Sequence, residues 1–90
     1  MTDLRKLAKG QECQVRLPAI CNGDPATTVL AHYRLAGVSG MGMKSPDVIG
    51  AWACSACHLA VDTDRAYRAD FAEGVFRTQA LLVKNGVLKW

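Results

Sequence analysis

Cys54-Ser55-Ala56-Cys57-His58 places two thiols two residues apart with an imidazole directly behind them. A pair at that spacing lets two sulfurs face one ion, and a second pair stands far upstream, Cys13 and Cys21 with seven residues between them. A tight pair and a distant wider pair match the way a structural zinc is assembled from a knuckle and a helix start. Zinc prefers a closed tetrahedron of soft ligands, which four thiolates supply. Four buried free cysteines are the plainer alternative. The run also fits the C-x-x-C-H pattern of haem attachment, but that chemistry belongs to exported proteins and leaves Cys13 and Cys21 unexplained. A thioredoxin-like role needs the pair to follow a first strand in a βαβ pattern, which is absent.

Working outward, Cys54 to Val61 contains good helix formers and begins a short helix. Upstream of it, Val48 to Ala53 is a short apolar run that reads as a strand. Thr27-Thr28-Val29-Leu30-Ala31-His32-Tyr33 is rich in β-branched residues and reads as a partner strand that delivers His32 near its end. Cys13-Gln14-Val15-Arg16-Leu17 alternates like a strand, Pro18 interrupts it, and Cys21-Asn22-Gly23 signals a turn, so this segment is a cysteine-bearing hairpin or knuckle. Leu4 to Ala8 forms one helical turn ended by Gly10. Downstream of Asp62-Thr63, which can cap a helix, Tyr67, Phe71, Val75, Thr78 and Leu82 recur at steps of four, four, three and four. That spacing predicts a long amphipathic helix stopped at Asn85-Gly86, although Gly74 inside it costs about 1 kcal/mol relative to Ala. Val87 to Trp90 form a terminal strand or pack down onto the body.

Ninety residues with 50% apolar composition make one domain, 1–90, with a thin core, and exclude intrinsic disorder. No apolar run is long enough to span a bilayer, so no membrane partner is expected. The charged start, Met1 to Gly10, has no secretory h-region, which predicts a cytoplasmic chain whose thiols stay reduced. Binding of a structural zinc, about 10–16 kcal/mol in apparent terms, exceeds the whole net stability expected at this size. The net charge of +3 is uneven. Residues 1–44 hold Arg5, Lys6, Lys9, Arg16, Arg34 and Lys44 against Asp3, Glu12 and Asp24, whereas residues 45–90 hold five charges of each sign. A basic face of this kind suits a polyanion.

The loop from Leu35 to Pro46 carries Gly37, Gly40 and Gly42. Its Gly42-Met43-Lys44-Ser45 misses the phosphate-binding P-loop, which needs Gly directly before Lys. If one zinc joins the four cysteines, the chain from 21 to 54 returns on itself, and His32 and His58 can face each other across a small cleft. Phosphodiester hydrolysis needs a base for water, a cation for the leaving oxygen and positive side chains for the backbone. His32 suits the first role, His58 can bind a divalent ion, and Arg34 and Lys44 can contact phosphate.

His32-Tyr33-Arg34, the glycine-rich loop, Lys44-Ser45-Pro46-Asp47 and Cys54-Ser55-Ala56-Cys57-His58, in that order, resemble the HNH or His-Me finger endonucleases. The similarity is greatest to their phage branch, which includes a RecA-dependent nuclease, and it covers nearly the whole chain. The resemblance implies an α+β fold: a small zinc-stabilised ββα-metal domain, treble-clef-like, with a long C-terminal helix. It places His32 as general base and His58 as ligand of a catalytic Mg²⁺ or Mn²⁺. DNA bound through its phosphate backbone is the implied substrate, and a recombination protein such as RecA an implied partner. Many relatives carry Asp before the base histidine as a second metal ligand, and Ala31 stands there in this chain. The middle Asn that orients the base in the family is not evident; Asp47 lies in that region and could orient His32 or ligate the ion. The alternative function is a non-catalytic zinc module that binds nucleic acid or a phage recombination protein.

Overall fold

The protein is described by a computed structural model covering residues 3–35 and 45–88. Helix α1 (Leu4–Ala8) is followed by a 3-10 turn (Pro25–Thr27), strand β1 (Val29–His32), a second 3-10 turn (Asp47–Ile49) and strand β2 (Gly50–Ala53). Helix α2 (Ser55–Thr63), a third 3-10 turn (Arg65–Tyr67) and helix α3 (Arg68–Lys84) complete the order. The architecture is a small α+β arrangement with a two-stranded antiparallel sheet and a long C-terminal helix, paired Val29↔Ala53, Leu30↔Trp52, Ala31↔Ala51 and His32↔Gly50.

A two-stranded ribbon is marginal alone, so its stability comes from what covers it. All four residues of β2 are buried. Alternation sorts the side chains into two clusters. Ala31, Ala51 and Ala53 join the cysteines, Val15, Leu17, Phe71 and Val75. Leu30 and Trp52, on the opposite face of the pleat, join Ala8 and Leu82, with Leu4, Leu7, Val87 and Leu88 packed around them. Helix α3 is also tied to the strand through Thr78, whose hydroxyl accepts from the Trp52 N–H at 3.0 Å.

Residues 13–17 alternate like a strand and yet form none. Arg16 and Ala19 adopt left-handed backbone angles, φ 54° and 64°, which turn the segment twice between Cys13 and Cys21. Such angles cost a non-glycine residue roughly 1–2 kcal/mol each. Side-chain bonds offset part of that, since the Arg16 guanidinium donates to the Cys13 carbonyl (3.3 Å) and to Gln14 Oε1 (3.1 Å). The segment is then locked to its surroundings by Gln14, whose N–H donates to the Trp52 carbonyl at 2.7 Å and whose carbonyl accepts from Arg77 at 2.6 Å. The reading as a knuckle holds: Cys13, Gln14, Val15 and Leu17 are all buried, and the apolar alternation within the segment does not reflect strand pairing.

The other boundaries shift by a few residues. Val48 and Ile49 belong to a 3-10 turn, so β2 starts at Gly50. Helix α2 continues through Asp62 and Thr63, and Asp64 caps the following turn by accepting from the Ala66 N–H at 2.9 Å. At the C-terminal end, the N–H groups of Gly86 and Val87 donate to the carbonyls of Val83 (3.0 Å) and Leu82 (2.8 Å). With Gly86 at φ 77°, this is a Schellman stop, and Val87 folds down onto Leu82.

Gly74 has a packing reason. A Cβ there would sit 2.9 Å from Val15 Cγ2, 3.1 Å from Val15 Cα and 3.3 Å from the Gln14 carbonyl. Helix α3 therefore approaches the backbone of the knuckle directly. Gly74→Ala should forgo the propensity gain of about 1 kcal/mol expected in a helix interior and instead destabilise the protein by about 1 kcal/mol through crowding. A urea midpoint lower than that of the parent checks this.

Candidate metal centre and adjoining cleft

Cys13 and Cys21 leave the two ends of the knuckle, while Cys54 caps α2 and Cys57 sits in its first turn. The four Sγ atoms lie within 4.8 Å of one another, and Cys54 Sγ is 3.8 Å from Cys21 Sγ. Zn–S bonds of about 2.3 Å in a tetrahedron require sulfur–sulfur edges of about 3.8 Å. The donor set and its spacing therefore fit a tetrahedral ion such as zinc.

Each sulfur also receives a backbone N–H. Arg16 donates to Cys13 (3.5 Å) and Cys57 to Cys54 (3.4 Å), while Asn22 bonds Cys54, Gly23 bonds Cys21 and Leu17 bonds Cys57. Donation of this kind favours thiolate over thiol. Burial pushes the Cys57 thiol far up and raises Cys21, with the neighbouring sulfurs adding to both. Cys54 is opposed by the same burial, yet the N–H groups of Cys57 and Asn22 and the flanking thiols bring it down to about 7. Four sulfurs this close release protons one at a time, because each anion raises its neighbours; a divalent cation makes all four thiolates compatible. Asn22 braces the centre, donating to Thr27 Oγ1 (3.2 Å) and Ser55 Oγ (3.0 Å), while Thr27 Oγ1 accepts from the Ser55 N–H (3.2 Å).

His32 ends β1 on the face opposite Ala31, which is 1% exposed in the core. The ladder continues one step past it, with the Tyr33 N–H donating to the Ile49 carbonyl at 2.9 Å. That step draws the Asp47–Ile49 turn alongside, and Asp47 Oδ1 lies 2.7 Å from His32 Nε2. A carboxylate only accepts, so Nε2 carries the proton. Arg5 Nε stands 3.6 Å from the same oxygen. The hydrogen bond from His32, aided by Arg5 against slight desolvation, holds the Asp47 carboxyl below the usual range, so it is ionised at neutral pH.

A cleft of about 350 Å³ opens beside His32. It is lined by His32, Tyr33 and Arg34 from the end of β1, by Asp62, Asp64 and Arg65 from the α2–α3 junction, and by Arg68 and Phe71 from α3. His58 is half-buried one helical turn before Asp62, with Nε2 3.2 Å from Asp62 Oδ2. Asp62, rather than His58, lines the cleft. Of the residues singled out in the sequence, the structure thus gathers the four cysteines, pairs His32 with Asp47 and puts Arg34 in the same cleft as His32. Lys44 lies outside the described residues. Arg5, Asp62, Arg65 and Arg68 were not visible as site residues. Only Asp62 carried a signal, its i,i+4 spacing from His58.

Fold and site together define a small α+β domain with a cluster of four cysteines able to hold a metal ion and a cleft lined by His32, whose ring is paired with Asp47. The chain belongs to the family described as Putative nuclease YbcO, whose model matches residues 2–87. It is 53% identical over 95 residues to the Putative nuclease YbcO of Escherichia coli (strain K12), and equally to that of Enterobacteria phage 82, covering 99% of each chain. A solved structure described as a putative bacteriophage protein from Escherichia coli K-12 substrain MG1655 is 46% identical, with a TM-score of 0.79 over 93% of this chain and all of that one. Among the described residues, no helix is long and apolar enough to cross a membrane.

The metal centre makes a direct prediction. Purified protein should carry about one zinc per chain, and chelation should unfold it, because apparent zinc binding of about 10–16 kcal/mol exceeds the stability of a small domain. Cys54→Ser should lose both the metal and the folded far-UV signal; a mutant retaining both would refute four-cysteine ligation.

Proposed function

We propose that the protein is a metal-dependent endonuclease of the HNH or His-Me finger type that hydrolyses DNA phosphodiester bonds on a zinc-stabilised ββα-metal scaffold. The nuclease names of its relatives support the general activity. The observation that carries the mechanism is the 2.7 Å contact between His32 and Asp47 at the edge of a cleft lined by arginines.

Asp47 accepts the Nε2 proton of His32 and so leaves the Nδ1 lone pair for the substrate side. Among the described residues, Nδ1 has no hydrogen-bond partner. A water held against Nδ1 gives it a proton as its oxygen attacks phosphorus, and the P–O3′ bond breaks on the opposite side. The departing 3′ oxygen keeps the bonding pair and takes a proton from solvent water, so the products are a 5′-phosphate and a 3′-hydroxyl. Arg34 lies where it can neutralise a non-bridging oxygen, with Lys44 as a second phosphate contact. Asp47 acts here as the group that orients His32, since its Oδ1 is already engaged by His32 and Arg5.

His58 and Asp62, an adjacent nitrogen and oxygen donor pair, would hold a divalent ion such as Mg²⁺ or Mn²⁺, which usually keeps several waters. When bound, that ion supplies positive charge for the departing 3′ oxygen. Ala31, buried in the core, supplies no ligand, and Asp62 provides a carboxylate in its place.

The second reading, a non-catalytic zinc module that binds nucleic acid or a recombination protein such as RecA, draws on that same Ala31. The two separate on turnover. Plasmid nicking should require Mg²⁺ or Mn²⁺ and vanish in His32→Ala with folding and zinc content intact. Asp47→Asn should slow nicking by roughly 10²–10⁴-fold, the usual contribution of acid–base machinery. Absence of nicking by the parent with either ion, on single- or double-stranded DNA and with or without RecA, would favour the module.

A further inference from the structure

The cleft beside His32 is lined by two arginines that come from distant parts of the chain. Arg34 follows β1, and Arg65 opens the 3-10 turn between α2 and α3. Both residues are exposed, and among the described residues neither guanidinium has an acidic partner. The carboxylates lining the same cleft are committed elsewhere: Asp62 to His58 at 3.2 Å, and Asp64 to the Ala66 N–H at 2.9 Å.

A third guanidinium stiffens the floor. Arg68 lies 4.7 Å from the Tyr33 ring centroid and donates to the Arg34 carbonyl at 3.1 Å. The Tyr33 ring in turn meets Phe71 edge-on, with centroids 5.1 Å apart. The backbone that carries Arg34 is therefore held from α3, the helix that directly follows the turn carrying Arg65. Two exposed guanidinium groups lining one small opening suit an anion, and phosphate is an anion whose geometry their planar forks match. About 350 Å³ lies at the low end of small-ligand sites, room for a nucleotide-sized group but not for a duplex.

We propose that Arg34 and Arg65 form a clamp on the phosphate backbone of a single nucleic-acid strand lying in the cleft, with Arg68 as the positioning residue that holds Arg34. The proposal deepens the nuclease reading, and rests on it for the identity of the substrate. Arg65 supplies a second backbone contact from a segment separate from the one that carries Arg34, so two parts of the chain hold the strand beside His32.

The test uses the full-length, zinc-loaded chain carrying His32→Ala to prevent cleavage, titrated against a fluorescent single-stranded oligonucleotide and the corresponding duplex across a salt series. The single strand should bind more tightly than the duplex. Arg34→Gln and Arg65→Gln should each weaken single-strand binding by about tenfold and reduce the slope of log K against log salt by about 0.7, the loss of one phosphate contact. Arg65→Lys should restore the slope. Arg68→Lys, which keeps the charge but loses the ring stacking and the fork geometry, should weaken binding with the slope unchanged. Thermal melting verifies that each variant is folded. Unchanged affinity and slope in Arg65→Gln, preference for the duplex, or no measurable binding by the parent would each overturn the clamp. The nuclease reading fails separately, through absent nicking by the protein with His32 intact, so a clamp without turnover and turnover without a clamp are distinguishable.

Discussion

Bringing four sulfurs within 4.8 Å of one another is the constraint on which the rest of the molecule depends. Two of them belong to a segment near the start of the chain and two to the N-terminus of a helix more than thirty residues later. Their convergence joins regions that also pack on one another through Val15, Leu17, Phe71 and Val75. It also explains local features that look unfavourable in isolation. Arg16 and Ala19 take left-handed angles because the knuckle must aim both of its thiols inward. Gly74 interrupts the side-chain surface of α3 because the helix must come within contact of Val15 and Gln14, the residues directly after Cys13. All three positions exchange intrinsic conformational preference for placement of the cysteines.

The pleat of a very short sheet then sets out the chemistry. Ala31 and His32 are neighbours in sequence and point to opposite sides, so one completes the core around the cysteines while the other faces outward. The antiparallel register His32↔Gly50 brings the preceding turn, and with it Asp47, against the imidazole. Gly50 tolerates this closeness: a Cβ there would lie 2.7 Å from Leu30 Cδ1. The cysteine cluster and the histidine–carboxylate pair are thus two consequences of one strand pair, reached from its opposite faces.

Legibility in the sequence followed the range of the interactions involved. The long helix was readable because Phe71, Val75, Thr78 and Leu82 repeat with helical spacing and are all buried. The cysteines were readable because ligand chemistry restricts residue type and spacing. His32 at a strand end was readable from the β-branched run before it. The run from Cys13 to Leu17 misled in part, because alternation of apolar residues is not unique to strands, and here Gln14 is buried along with Cys13, Val15 and Leu17. The basic residues of the cleft were the least visible. Charge counting pointed to residues 1–44, yet Arg65 and Arg68 come from the electrically balanced second half. A count along the chain averages over charges that folding separates or gathers.

By itself, the sequence determined the four cysteines suited to a metal, the amphipathic helix and its Asn85-Gly86 stop, and the placement of a histidine at the end of a strand. These follow from side-chain chemistry and from periodicity over a few residues. Only the tertiary structure decided that Asp47 meets His32, that Asp62 rather than His58 lines the cleft, and that Arg34, Arg65 and Arg68 surround one opening. Those relations depend on how segments separated by 15 to 34 residues are set against one another. That setting comes from strand register and from the closing of the cysteine cluster, and local sequence encodes neither.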